Sequence, residues 1–150
     1  MKKKVILLLL MIVLSLGLTS CSSNKEPDYT EYIEAINPIF ERMQIINENI
    51  QSIDAASIDS FELLIENCKS LSEEYKTLSN IVPPDEFSKT RDLSKEAYDY
   101  MEQSIEYFTS AFDNDEINEK KLENGMECYK RANKRLHYII KLLHNEPIAE

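Results

Sequence analysis

From Tyr29 onward, apolar residues return at every third or fourth position, and four such stripes can be followed along the chain. The first runs Tyr29, Ile33, Ile36, Phe40, Met43, Ile46, Ile50, Ile53. Steps of three and four keep these side chains on one face of a helix. Pro38 interrupts the stripe, and since proline lacks an N–H and crowds the preceding turn, a kink near Asn37 is expected, or a restart with Asn37 capping and Pro38 in first position. Asp54 to Ile58 is a short break. Asp59, with Glu62 three residues on, resembles a capping box that opens the second helix. Its stripe is Phe61, Leu64, Cys68, Leu71, Tyr75, Leu78, Val82. Pro83-Pro84 ends that helix, because Pro84 drives its predecessor out of helical angles. The third helix is expected to start on Pro84, with Asp85 and Glu86 at its positive end. Phe87, Leu93, Ala97, Met101, Ile105, Phe108 and Phe112 mark its face, and the acidic turn Asp113-Asn114-Asp115-Glu116 breaks it. Leu122, Met126, Tyr129, Ala132, Leu136, Ile140 and Leu143 form the fourth stripe, stopped by Pro147. Four helices of roughly 20 to 28 residues with short connections predict antiparallel neighbours, hence an all-α, up-down-up-down four-helix bundle over residues 29–150. No shared motif relates its two halves.

The residues before Tyr29 follow a different pattern. Lys2, Lys3 and Lys4 precede a nearly continuous apolar run from Val5 to Leu16, and Gly17, Leu18, Thr19 and Ser20 lead to Cys21. A run of about a dozen residues is shorter than the roughly 20 needed to span a bilayer. Charge, short apolar core and small residues in that order describe a secretory signal. Leu18 is too large for the −3 position of an ordinary cleavage site. Leu18-Thr19-Ser20-Cys21 instead resembles the lipobox of bacterial lipoproteins, with Thr19 and Ser20 less usual members of that pattern. The resemblance covers the first 21 residues. It implies cleavage between Ser20 and Cys21, removal of residues 1–20, and diacylglycerol with further acyl chains on Cys21. One acyl chain holds a protein only marginally, whereas two or three give a durable anchor. Residues 21–28 then read as the lipidated cysteine and a polar tether ending in Pro27 and Asp28.

Charge narrows the choice of partners. The whole chain carries 17 basic and 27 acidic side chains. Without the three lysines of the signal, 14 basic residues remain against 27 acidic, a net charge of −13. This argues against nucleic acid as a partner, since phosphate binding wants a basic surface. The same balance argues against flat association with an anionic bilayer, and favours a solvated, self-repelling surface. The distribution is uneven. Residues 26–119 hold 6 basic and 23 acidic side chains, whereas residues 120–141 hold 7 basic and 2 acidic. The basic last helix is expected to complement the three acidic ones; a binding face for acidic polymers or lipid head groups is the alternative.

Candidate chemistry is sparse. His137 and His144 lie about 10.5 Å apart along a helix, too far to share a metal, and neither belongs to the Glu-x-x-His pattern of di-iron bundles. The acidic turn at 113–116 lacks the Gly at position six and Glu at position twelve of a calcium loop; helix breaking and capping account for it. Adjacent acidic pairs such as Glu73-Glu74 diverge by about 100° on a helix. With Gly17 and Gly125 the only glycines, a phosphate-cradling loop has no material. Cys68 falls on a stripe and Cys128 beside one, and both are expected as free thiols, although an exported protein permits a disulfide. Tyr75, Met101 and Tyr129 could line an inter-helical ligand pocket, but ordinary core packing is the favoured reading. Tyr29 and Tyr32 are expected to pack the end nearest the tether.

These observations predict no catalytic residue, cofactor or metal site, and a chain that is not an enzyme. The expected role is a membrane-anchored, extracytoplasmic interaction module, with an exported protein or cell-wall component as partner. The alternative is a small-molecule or ion-binding accessory lipoprotein with a pocket between helices. The stripes, the lipobox and the Val82-Pro83-Pro84-Asp85-Glu86-Phe87 turn together resemble the small all-helical lipoproteins of low-GC bacteria, a group whose function is itself not established.

Overall fold

The structure, a computed structural model, describes residues 29–112 and 117–144. Every regular element among them is helical: α1 (Thr30–Ser52), α2 (Ser60–Asn80), a short 3₁₀ helix (Asp85–Phe87), α3 (Ser88–Ser110) and α4 (Glu119–Leu143). Residues 113–116, expected as an acidic turn, residues 1–28, expected as signal and tether, and Pro147 lie outside the described residues.

α1 runs through Pro38 without restarting. An internal proline costs about 3 kcal/mol in a helix. Here Tyr32 and Ile36 before it and Ile39 and Met43 after it are all buried on one face, so packing on both sides holds the helix together across the missing bond. Asp59 takes the N-cap position of α2 as expected, but its side chain makes no capping bond; its carbonyl accepts from Leu63 N at 3.0 Å, and its N–H donates to Ser57 Oγ at 3.4 Å. α2 stops one residue before Ile81, which is extended at φ −76°, ψ 129°. Val82, expected on the second stripe, therefore falls outside the helix and is 75% exposed. Pro84 caps the 3₁₀ turn rather than opening α3, which begins four residues later at Ser88. At the start of α4, Asn118 caps through its side chain, accepting from Lys121 N at 3.1 Å.

The helix register is legible in residue numbers. Partners between α3 and α4, namely Glu96 with Arg135, Tyr100 with Arg131 and Ser104 with Gly125, have numbers that add to about 230. Partners between α2 and α3, Ser72 with Glu102 and Lys76 with Tyr98, add to 174. Constant sums mean antiparallel neighbours. Tyr32 with Thr90 and Tyr75 with Asn133 instead keep a constant difference of 58, as parallel diagonals do. The result is the expected up-down-up-down four-helix bundle. Its closest helix pair is α3–α4, followed by α2–α3 and α1–α2.

The core joins Ile36 and Met43, Leu71 and Tyr75, Met101 and Phe108, and Ala132 and Ile139 from the four helices in turn. α4 is rotated from the expected stripe. Gly125, Cys128, Ala132 and Ile139 are its buried residues, while Met126 and Ile140 are 40% and 38% exposed. Cys128 thus faces inward, not beside the buried face. The small residues win because they let α4 approach α3 closely, which larger side chains would prevent.

Candidate functional site

The sequence-predicted cleavage and lipidation residues, Ser20 and Cys21, lie outside the described residues. Tyr29 is the described residue nearest to them, and it sits in an aromatic cluster at that end of the bundle. Its ring meets Phe87 edge-on at 5.0 Å, and Tyr32 stacks on the same ring at 5.9 Å. The Tyr29 hydroxyl donates to the Glu86 carboxylate, which raises its pKa above the usual phenol value. Thr90 donates to the Phe87 carbonyl at 2.7 Å, so in the 2.8 Å contact between Tyr32 and Thr90 the tyrosine is the donor. Burial pushes the Tyr32 phenol up. Tyr29 and Tyr32 therefore clamp the start of α1 onto the turn that the proline pair creates.

A second polar layer crosses the middle of the bundle. Tyr75 is fully buried and donates to Asn133 Oδ1 at 3.4 Å. Tyr129 donates to Asn47 Oδ1 at 3.1 Å, tying α4 to α1. Burial raises the pKa of both phenols. Cys68 lies in the same layer, where burial pushes its thiol up to about 12, so it stays protonated and unreactive at neutral pH. Burial also raises Cys128, with Arg131 opposing the shift. Both thiols are free, as expected. Tyr75, Met101 and Tyr129 pack as core, the reading favoured over a pocket: Tyr75 and Met101 have no exposed surface, and Tyr129 packs against the same core with its hydroxyl bonded to Asn47. A shallow depression of about 370 Å³ lies elsewhere, at the α1–α2 turn, among Asn49, Ser52, Asp54, Ser57 and Asn67.

His137 and His144 are both exposed on α4. Among the described residues, no three histidine, cysteine or acidic side chains are grouped to hold a metal. The expected pairing of α4 with acidic neighbours is realised at Arg135, which meets Glu96 of α3 at 2.7 Å. Lys120 and Arg131 pair instead with Glu123 and Glu127 of α4 itself. Periodicity missed four buried polar residues, Ser72, Thr90, Ser94 and Ser104. The signal was present: Thr90, Ser94, Ala97, Met101, Ser104, Phe108 and Ala111 follow strict steps of four and three. Each hydroxyl is satisfied, Ser94 by the Thr90 carbonyl at 2.6 Å and Ser104 by the Gly125 carbonyl at 2.8 Å.

No described helix is long and apolar enough to cross a membrane. Compared with known protein families, curated proteins and solved structures, the chain gives no match.

Proposed function

We propose that this chain is a bacterial lipoprotein: exported, cut between Ser20 and Cys21, acylated on Cys21, and held on the outer side of the cytoplasmic membrane. The bundle is its non-enzymatic interaction module, presented on the tether of residues 21–28. The observation that carries this reading is Leu18-Thr19-Ser20-Cys21 at the end of a short apolar run, followed at once by Ser22-Ser23-Asn24-Lys25. Such an abrupt change suits a membrane signal that ends at an acylated residue. Support for an interaction role comes from an interior filled by side chains and a surface dominated by charge.

The test is to express wild-type chain and Cys21→Ala and fractionate the cells. Wild type is expected in the membrane fraction, with mass spectrometry finding acyl chains on a Cys21 amino terminus. Cys21→Ala is expected to leave the membrane fraction or retain the uncleaved signal. An unmodified wild-type chain beginning upstream of Cys21 overturns the proposal.

A further inference from the structure

The overall charge of the mature chain opposes contact with an anionic bilayer, yet α4 breaks that rule locally. From Cys128 to Asn145 the sequence holds five Lys and Arg residues, two histidines and no acid. Arg131 and Arg135 are turned sideways, paired with Glu127 and Glu96 and set over the Tyr100 ring at 5.8 and 5.2 Å. The rest form a separate stripe. Lys130, Lys134, His137 and Lys141 follow steps of four, three and four, which align them on one face. That face is opposite the buried Cys128, Ala132 and Ile139. Lys130, Lys134 and His137 are exposed and Lys141 is half-buried. Among the described residues, none of these lysines meets a carboxylate within 4.0 Å. Ile140, 38% exposed, flanks the stripe with apolar surface.

Placement gives the stripe a partner. The α3–α4 register sets His144 level with Phe87, and Phe87 packs on Tyr29. The basic half of α4 therefore lies at the end of the bundle where the tether enters. Seven residues separate Cys21 from Tyr29, eight Cα-to-Cα steps, a reach of up to about 28 Å. The stripe itself is about 16 Å long from Lys130 to Lys141, so it can touch head groups without straining the tether. The outer faces of the other helices carry acids, including Glu34 and Glu41 on α1, Glu66 and Glu73 on α2, and Asp92 and Asp99 on α3. A body of this asymmetry, held within a Debye length of an anionic sheet, turns its basic side inward.

We infer that the outer face of α4, Lys130–Lys134–His137–Lys141, docks on anionic lipid head groups of the anchoring membrane, so that the bundle lies against the bilayer and presents α2, diagonal to α4, outward. This rests on the lipid-anchor reading above.

The test uses the full acylated protein, purified from membranes and reconstituted in vesicles of phosphatidylcholine alone or of an equimolar mixture with phosphatidylglycerol. Amine acetylation is read by mass spectrometry after flotation. In the anionic vesicles, labelling of Lys130 and Lys134 is expected to fall by roughly threefold or more, and to recover in high salt. Lys69, exposed on α2, is expected to keep its labelling. Equal labelling of the stripe in both vesicles overturns the docking while leaving the anchor intact. Flotation with anionic but not neutral vesicles rejects the anchor and supports the docking surface, and flotation with neither rejects both. Protection by a soluble polyglycerol phosphate but not by anionic vesicles overturns the membrane as partner and assigns the stripe to a polyanion.

Discussion

α3 and α4 meet through small side chains, whereas α1 joins the bundle through large ones. On the first seam Ser94, Ala97 and Ser104 face Gly125, Cys128 and Ala132, all buried. The helices are close enough for the Ser104 hydroxyl to reach the Gly125 backbone carbonyl at 2.8 Å. α1 instead buries Tyr32, Ile36, Ile39 and Met43, and it reaches α4 through a bond between long side chains, Tyr129 to Asn47. Helix separation follows the size of the side chains at the contact. The two regions therefore fail in opposite ways: the first tolerates no added bulk, and the second tolerates no loss of it.

The largest effect is expected at Gly125. A Cβ there would lie 2.7 Å from two ring carbons of Phe108, and Phe108 is itself buried against Phe61. Gly125→Val is expected to destabilise the bundle by about 3 kcal/mol or more, since the ring has nowhere to move. For Gly125→Ala the overpacking of about 1–3 kcal/mol is partly offset by a helix-propensity gain of about 1 kcal/mol, leaving a smaller loss. Urea midpoints measure both. A Gly125→Val domain as stable as wild type would mean that the close seam does not exist.

In α1 the informative change is a truncation. Ile36 is 1% exposed, and Ile36→Ala is expected to cost about 2–4 kcal/mol through lost burial and a residual cavity. Ile36→Val should cost only about 1 kcal/mol. If Ile36→Ala were as mild as Ile36→Val, α1 would be a loosely attached helix, and the contrast with α4 would be one of importance, not of packing style.

The same contrast explains what could be read from the sequence. The bundle was legible because each helix carries an apolar stripe between proline or polar breaks, and the α2 stripe from Phe61 to Leu78 sits at the core as read. The face of α4 was misread because periodicity gives weight to size. Met126 and Ile140 look like core, while Gly125 and Cys128 look like gaps, yet close helix approach rewards the gaps. Ser94 and Ser104 escaped for a related reason: a hydroxyl reads as solvent-facing until a nearby carbonyl is known to satisfy it. The continuation of α1 through Pro38 depends on packing on both sides of it, which no local signal carries. Of the candidate site, Cys21 comes from sequence alone, whereas the stripe on α4 needed the helix register to show which end it occupies.

The two buried thiols offer the finest probe of the contrast, because one lies deep in α2 and the other on the close seam. Cys68 has its pKa pushed by burial from near 9 to about 12, and Cys128 is also raised, with Arg131 drawing it back. Below about pH 9 both folded and unfolded chains keep the Cys68 proton, and stability is unaffected. Above it the unfolded chain releases a proton that the native state retains, so stability falls as pH rises toward the folded value. By about pH 10 the loss attributable to Cys68 is on the order of 1.4 kcal/mol. Tyr75 and Tyr129, raised by the same burial, add to it at higher pH. Urea midpoints at about pH 8 and about pH 10 should therefore differ less for Cys68→Ala than for wild type, with Cys128→Ala in between. If Cys128→Ala flattened the profile more than Cys68→Ala, the deeper thiol would be the one on α4, and the close α3–α4 seam, not the α2 layer, would be the driest part of the bundle.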